Sequence, residues 1–193
     1  MKAGIPAVIA ASLAALVAGC GGPNLSLSVR AGSPAVGSAS ALTAGSGIVL
    51  SRVRVVIKAV ELEKAGTTEM DEVAGGPYLL DLSGAALDSG NVAKVLEASV
   101  PPGTYSEIDF QVHKPEGTET GANASLADMI AAQASIIADG TIDGAPFTFT
   151  SAVTAEQKLE GNVVVGGDSN LTLNVDAASW FTANGSRLDP RNE

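Results

Sequence analysis

The residues whose types and spacing could do chemistry are few. Glu107 and Asp109 stand two apart in the alternating run TYSEIDFQVH. On a strand that spacing puts both carboxyls on one face about 7 Å apart, which overlaps the separation used by inverting glycosidases. Any acidic i, i+2 pair on a strand has the same spacing, and its plain reading is a solvated sheet face; Glu61 and Glu63 repeat it. His113 follows with the same parity, so a weak metal site can be drawn from His113 with Asp109 or Glu107. The chain has one histidine and one cysteine, which excludes a two-histidine zinc centre, a thiolate cluster and an intramolecular disulfide. There is no G-x-S-x-G elbow and no glycine-rich loop leading from a strand into a helix, so a serine triad and a nucleotide site both lack a motif. Acidic turns at 88–91, 139–143 and 168–170 offer oxygen ligands to calcium, but none has EF-hand spacing, and Asp, Asn and Gly are what tight turns require. One Trp, two Tyr and four Phe, most at expected core positions, leave few platforms for a sugar. The expectation is a non-enzyme with no catalytic residue and no cofactor.

The remaining reactive side chain is Cys20. Met1-Lys2 gives a short cationic start, residues 5–18 are apolar, and the run is too short to span a bilayer, which is the layout of a secretory signal. Its end, Leu16-Val17-Ala18-Gly19-Cys20, resembles the bacterial lipobox, in which small residues admit the signal peptidase and the cysteine carries the lipid. The resemblance implies that residues 1–19 are removed and that Cys20 is acylated. At about 0.8 kcal/mol per buried methylene, two or three chains hold a protein on a membrane where one is marginal. Gly21, rather than Asp, follows the cysteine; by analogy with Gram-negative sorting this implies the outer membrane, facing the periplasm or the cell surface. An ordinary secretory signal with a free thiol is the alternative. The formal net charge of −10 opposes contact with nucleic acid or anionic lipid, so the membrane contact is expected to be covalent.

The elements that must position these groups read as strands. Leu25-Ser26-Leu27-Ser28-Val29 alternates with period two, so residues 20–24 are expected to be a short tether and 25–189 one domain, followed by a polar tail, 190–193. The Gly, Ser and Ala-rich stretch 31–47 reads as a surface loop, or, together with residues 21–30, as a disordered stalk. In 48–64, Val53, Val55 and Ile57 share a face opposite Arg52, Arg54 and Lys58, and then the phase slips. A bulge near Lys58-Ala59 would keep Val60 and Leu62 on the core side. Tyr78–Leu82 is expected to be a short strand after Gly-Gly-Pro; 89–97 fits a helical turn or a strand. In 104–113, Ile108, Phe110 and Val112 should point in, with Glu107, Asp109, Gln111 and His113 out. Residues 124–134 carry Leu126, Met129 and Ile130 at helical spacing with Ser125 as N-cap. Asp143-Gly144 between two β-rich runs predicts a two-residue hairpin. Residues 163–165 and 170–175 around Gly166-Gly167-Asp168-Ser169 predict a second, and 176–181 a capped turn laying Trp180 and Phe181 on the core. The fold class expected is mainly β: an antiparallel β-sandwich with one or two short helices.

The series VRVVIKAVELEK, YLLDL, VPPGTYSEIDFQV, GTIDGAPFTFTS and LTLNVDAASWF resembles a family of bacterial and archaeal lipoprotein domains of unknown function, whose sandwich is similar to the transthyretin or carboxypeptidase-regulatory type. The most specific piece is the Pro-Gly-Thr-Tyr turn at Pro102–Tyr105, where the Tyr105 hydroxyl can also tie the corner for structural reasons alone. The resemblance carries no catalytic residue. The function expected is therefore that of a lipid-anchored cell-envelope protein with a binding or scaffolding domain, its partner an envelope protein or surface component. The alternative is a carrier of a small ligand or a metal ion, calcium before others.

Overall fold

The computed structural model describes residues 23–31, 42–44, 47–87 and 91–192. The signal segment, Cys20 and the acidic turn at 88–90 lie outside them. The strands are β1 (Asn24–Ala31), β2 (Leu42–Thr43), β3 (Ile48–Lys64), β4 (Met70–Ser83), β5 (Ala93–Ser99) and β6 (Gly103–Val112). A helix α1 (Ala127–Ala131) then precedes β7 (Ile136–Ile142), β8 (Ala145–Ser151), β9 (Ala155–Val165), β10 (Ser169–Val175), β11 (Thr182–Ala183) and β12 (Ser186–Arg187). Short 3₁₀ turns cover Gly84–Leu87 and Ala177–Ser179.

The chain is mainly β, with one five-residue α-helix among the described residues, as the alternating runs predict. The large sheet runs β8-β7-β3-β6-β9, with β2 and β4 also paired to β3; a second sheet runs β10-β1-β5. One apolar cluster joins them: Leu25, Leu27 and Val29 of β1 and Leu173 of β10 pack with Val53, Ile57 and Leu62 of β3 and Tyr105 of β6. Residues 24–31 are therefore a paired strand whose Leu25, Leu27 and Val29 are buried, rather than part of a stalk.

The long strand β3 is possible because it is bent. Its register slips between Ile57 and Ala59 against β4 and between Ile57 and Val60 against β6, the bulge expected near Lys58-Ala59, and Val60 and Leu62 return to the core. Gly76 faces that bulge so closely that a Cβ there would lie 2.1 Å from the Lys58 carbonyl oxygen. Before the bulge both faces of β3 are covered: Val56 packs with Leu79, Leu126, Met129 and Ile137 under α1. Helix α1 is shorter than the expected span of 124–134, and Ser125 Oγ accepts the N–H of Ala127. Arg54, expected on a solvated face, is buried; it donates to Asp139 Oδ2 at 2.8 Å and Asp128 Oδ2 at 3.1 Å.

Two turns form as their sequences require. Asp143 and Gly144 take φ +50° and +82° between β7 and β8, the signature of a type I′ hairpin. Tyr105, fully buried, donates its hydroxyl to the Pro101 carbonyl at 2.7 Å and closes the corner into β6. Residues 93–99 are a strand rather than a helical turn. Phe181 packs edge-on against Phe147 and Phe149, at 5.9 and 5.3 Å between ring centroids.

The second expected hairpin does not form. β9 pairs with β6 in the large sheet, whereas β10 crosses to the other sheet and pairs with β1 in parallel, Leu25 to Val29 opposite Ser169 to Leu173. Among the described residues the pairing is thus antiparallel apart from this one pair. β1 and β10 stand at opposite ends of the domain sequence, so no hairpin dictates their relative direction.

Candidate functional site

Glu107 and Asp109 do share a face of β6, and β9 supplies what they meet. Lys158 stands opposite Asp109, and its Nζ lies 3.1 Å from Glu107 Oε1, 3.1 Å from Asp109 Oδ2 and 3.2 Å from Glu156 Oε1. These hydrogen bonds hold the Lys158 ammonium well above its ordinary pKa. Asp109 is buried, contrary to the expected solvated position, because Lys158 lies across it and Glu61 of β3 is its cross-strand neighbour. Glu63 opposes Glu107 in the same way. Like charges facing across strands are unfavourable, and one ammonium shared among three carboxylates offsets that repulsion. Beside them Lys58, Glu61, Asp109, Gln111 and Glu156 line a shallow polar depression of about 360 Å³.

His113 is held elsewhere. Its Nε2 lies 2.9 Å from Glu119 Oε2 and 3.1 Å from Oε1, while the N–H of Glu116 donates to Glu119 Oε2 at 2.8 Å. Burial pushes the Glu119 carboxyl up, but those two partners outweigh it and the net displacement is downward. Glu107 and Asp109 thus share Lys158, His113 faces Glu119, and the structure does not bring the three sequence candidates around one point. Among the described residues no group of three or more His, Cys, Asp or Glu side chains is disposed to hold a metal ion. The turn carboxylates are similarly engaged: Asp139 with Arg54 and Thr148, Asp143 with Arg187, and Asp168 with the N–H of Asn24.

A second concavity lies between the sheets. It measures about 370 Å³ and is lined by Val55, Ile57, Phe110, Leu173, Val175 and Trp180, with Gln157 and Asp176 as its polar groups. An apolar wall with a few polar groups is the usual character of a small-molecule or side-chain pocket, and the volume falls in that range. β9 borders it with Leu159, which is half exposed, and no strand pairs with the outer edge of β9 among the described residues.

A family model described as a domain of unknown function, DUF4382, matches residues 48–190. The chain belongs to this family. No curated protein and no solved structure matches the chain. The DUF4382 segment contains both concavities, but it begins at Ile48 and so leaves out β1, the middle strand of the smaller sheet.

Sequence reasoning missed Lys158, Gln157 and Trp180 as parts of a surface. A signal for β9 exists in AEQKLEG, where Glu156, Lys158 and Glu160 recur with period two opposite Gln157 and Leu159. It is a charged alternation rather than an apolar one, as an edge strand exposed on both faces permits.

Proposed function

We propose that this DUF4382 protein is a lipid-anchored lipoprotein of the cell envelope, carried on the outer membrane through Cys20, whose β domain binds a partner protein and does no chemistry. The observation that carries the binding reading is the apolar opening between the sheets, bordered by an edge of β9 that no strand pairs with among the described residues. An open edge accepts an extended segment through main-chain hydrogen bonds, and an adjoining apolar hollow receives its side chains. The sequence Leu16–Cys20 supports the anchor, and β1 begins four residues after Cys20, so the tether is short. Two β layers over one core support the transthyretin-type resemblance.

The anchor is tested by metabolic labelling with a fatty-acid analogue. Label and membrane fractionation should both be lost in Cys20→Ala, and retention of either refutes acylation at that residue. Binding is tested by a photoreactive residue placed in cells at Leu159 or, as comparison, at exposed Thr67 in the β3–β4 turn. A discrete envelope protein captured from Leu159 and not from Thr67 supports the reading; equal capture from both removes it.

A second reading rests on the same cavity, namely carriage of a small apolar molecule. Trp180 lines the hollow, so an apolar ligand entering it should alter the emission of the chain's single tryptophan. Such a ligand should also survive in native mass spectra of the purified protein.

A further inference from the structure

β9 closes one side of the large sheet with a strand that is open on both faces. From Ala155 to Glu160 it runs in unbroken register against β6, opposite Val112 to Glu107, and beyond Glu160 the register shifts. Glu156, Gln157, Lys158, Leu159 and Glu160 are all exposed, and no strand pairs with their outer edge among the described residues. A lysine in the middle of an edge strand ordinarily guards that edge by holding its charge out in solvent. Lys158 instead leans inward, its ammonium shared by Glu107, Asp109 and Glu156, so its charge is neutralised within the sheet.

The charges of this face run out to the edge in rows. Glu63, Glu107 and Glu160 are successive cross-strand neighbours on β3, β6 and β9, so three carboxylates stand in line. Among the described residues the last of them, Glu160, has no ion-pair partner. In the next row Glu61 and Asp109 lead to Lys158, and the row after that ends in Glu156, opposite Gln111. A strand laid on the edge continues each row by one residue, and cross-strand pairing favours opposite charge there. On this face it meets Glu, Lys and Glu at alternate positions. On the other face it lies beside Gln157 and Leu159, which line the apolar hollow.

We propose that the segment received at β9 is an extended stretch of another protein with basic residues opposite Glu156 and Glu160, a small polar or acidic residue opposite Lys158, and apolar residues at the two positions between. The proposal rests on the partner-binding reading above and supplies the chemistry of the partner. Charge decides against the occupants this chain could itself provide. Its residues outside the described ones, 1–22, 32–41, 45–46, 88–90 and 193, contain a single basic residue, Lys2, and cannot set a cation against both glutamates. Antiparallel pairing with β9 of a second copy, centred on Lys158, sets Glu156 against the copy's Glu160 and Lys158 against its own counterpart, so like charges meet at all three positions. Shifted registers that avoid this give up part of the six-residue ladder, and a shift by one residue sets charged positions against apolar ones.

The test uses the purified full chain and two dye-labelled synthetic peptides, one carrying Lys-Val-Thr-Val-Lys and its twin carrying Glu at both Lys positions. By fluorescence anisotropy the wild type should bind the basic peptide about tenfold or more tighter than the acidic one. The double variant Glu156→Lys with Glu160→Lys should reverse the order, and a gain of affinity for the acidic peptide also shows that the variant is folded. A basic peptide methylated at alternate main-chain nitrogens should lose its binding, since strand addition needs those donors. Equal affinity for the two peptides, an order unchanged in the double variant, or no saturable binding of the basic peptide overturns the proposal. So does dimerisation of the chain that the basic peptide displaces, which would make a second copy the occupant. The failures are separable: lost charge discrimination with capture from Leu159 intact strikes only the charge pattern, whereas equal capture from Leu159 and Thr67 strikes the binding reading on which it rests.

Discussion

Tyr105 shows how much a single polar atom can fix. Its ring is enclosed by the core and its hydroxyl satisfies the Pro101 carbonyl, so Tyr105→Phe should cost about 1 kcal/mol, seen as a lower urea midpoint with an unchanged slope. Glu119 belongs to the same scale. Its carboxyl is held below the ordinary 4.5 of a glutamate by the Glu116 N–H and His113, against burial that acts the other way. A group whose folded-state pKa is depressed contributes stability that is present above the unfolded value and is lost as pH falls through the folded one. The gap in urea midpoint between the wild type and Glu119→Gln should therefore be widest near neutral pH and close progressively below about pH 4.5. Tyr105 was legible because a Pro-Gly turn announces a corner. The pairing of His113 with Glu119 was not, since Glu119 comes from the loop after β6, where no periodicity links the two positions.

At the scale of elements, the strands whose one face is core and other face is solvent announced themselves. The bulge in β3 could be placed to within a residue because a phase slip must be absorbed somewhere if Val60 and Leu62 are to stay buried. Pairing was harder to read. The Gly166–Ser169 turn looks like a hairpin locally, yet it carries the chain from one sheet to the other, and the partner of β10 lies 142 to 144 residues earlier in sequence. Nothing local encodes that choice. The bulge makes a sharp prediction through two glycines. Gly144→Ala meets open space and should cost only the left-handed backbone penalty, about 1–2 kcal/mol. Gly76→Ala drives a methyl into the Lys58 carbonyl and should cost more, at or beyond the upper end of the about 1–3 kcal/mol typical of overpacking. Denaturant unfolding of the two variants side by side checks the order; equal costs would mean that the bulge opens freely.

For the molecule as a whole, stability should follow the sheet connectivity. β3 is paired on both edges and buried on both faces before its bulge, so amides of residues 53–62 should be among the slowest to exchange with solvent. The β11–β12 hairpin, two residues a side and exposed, should be among the fastest. β1, β5 and β10 should exchange as one group, since neither outer strand pairs with another strand among the described residues. Hydrogen exchange read by mass spectrometry would separate these classes. The place of β1 also has a mechanical meaning. If Cys20 carries the anchor, a pull on the tether enters the domain at Asn24, and its component along β1 meets β10 parallel on one side and β5 antiparallel on the other. Both ladders would then have to slide in shear, many bonds together, instead of unzipping one at a time from an end. A domain tied down in this way would resist extraction by a tug on its tether more than its modest size suggests.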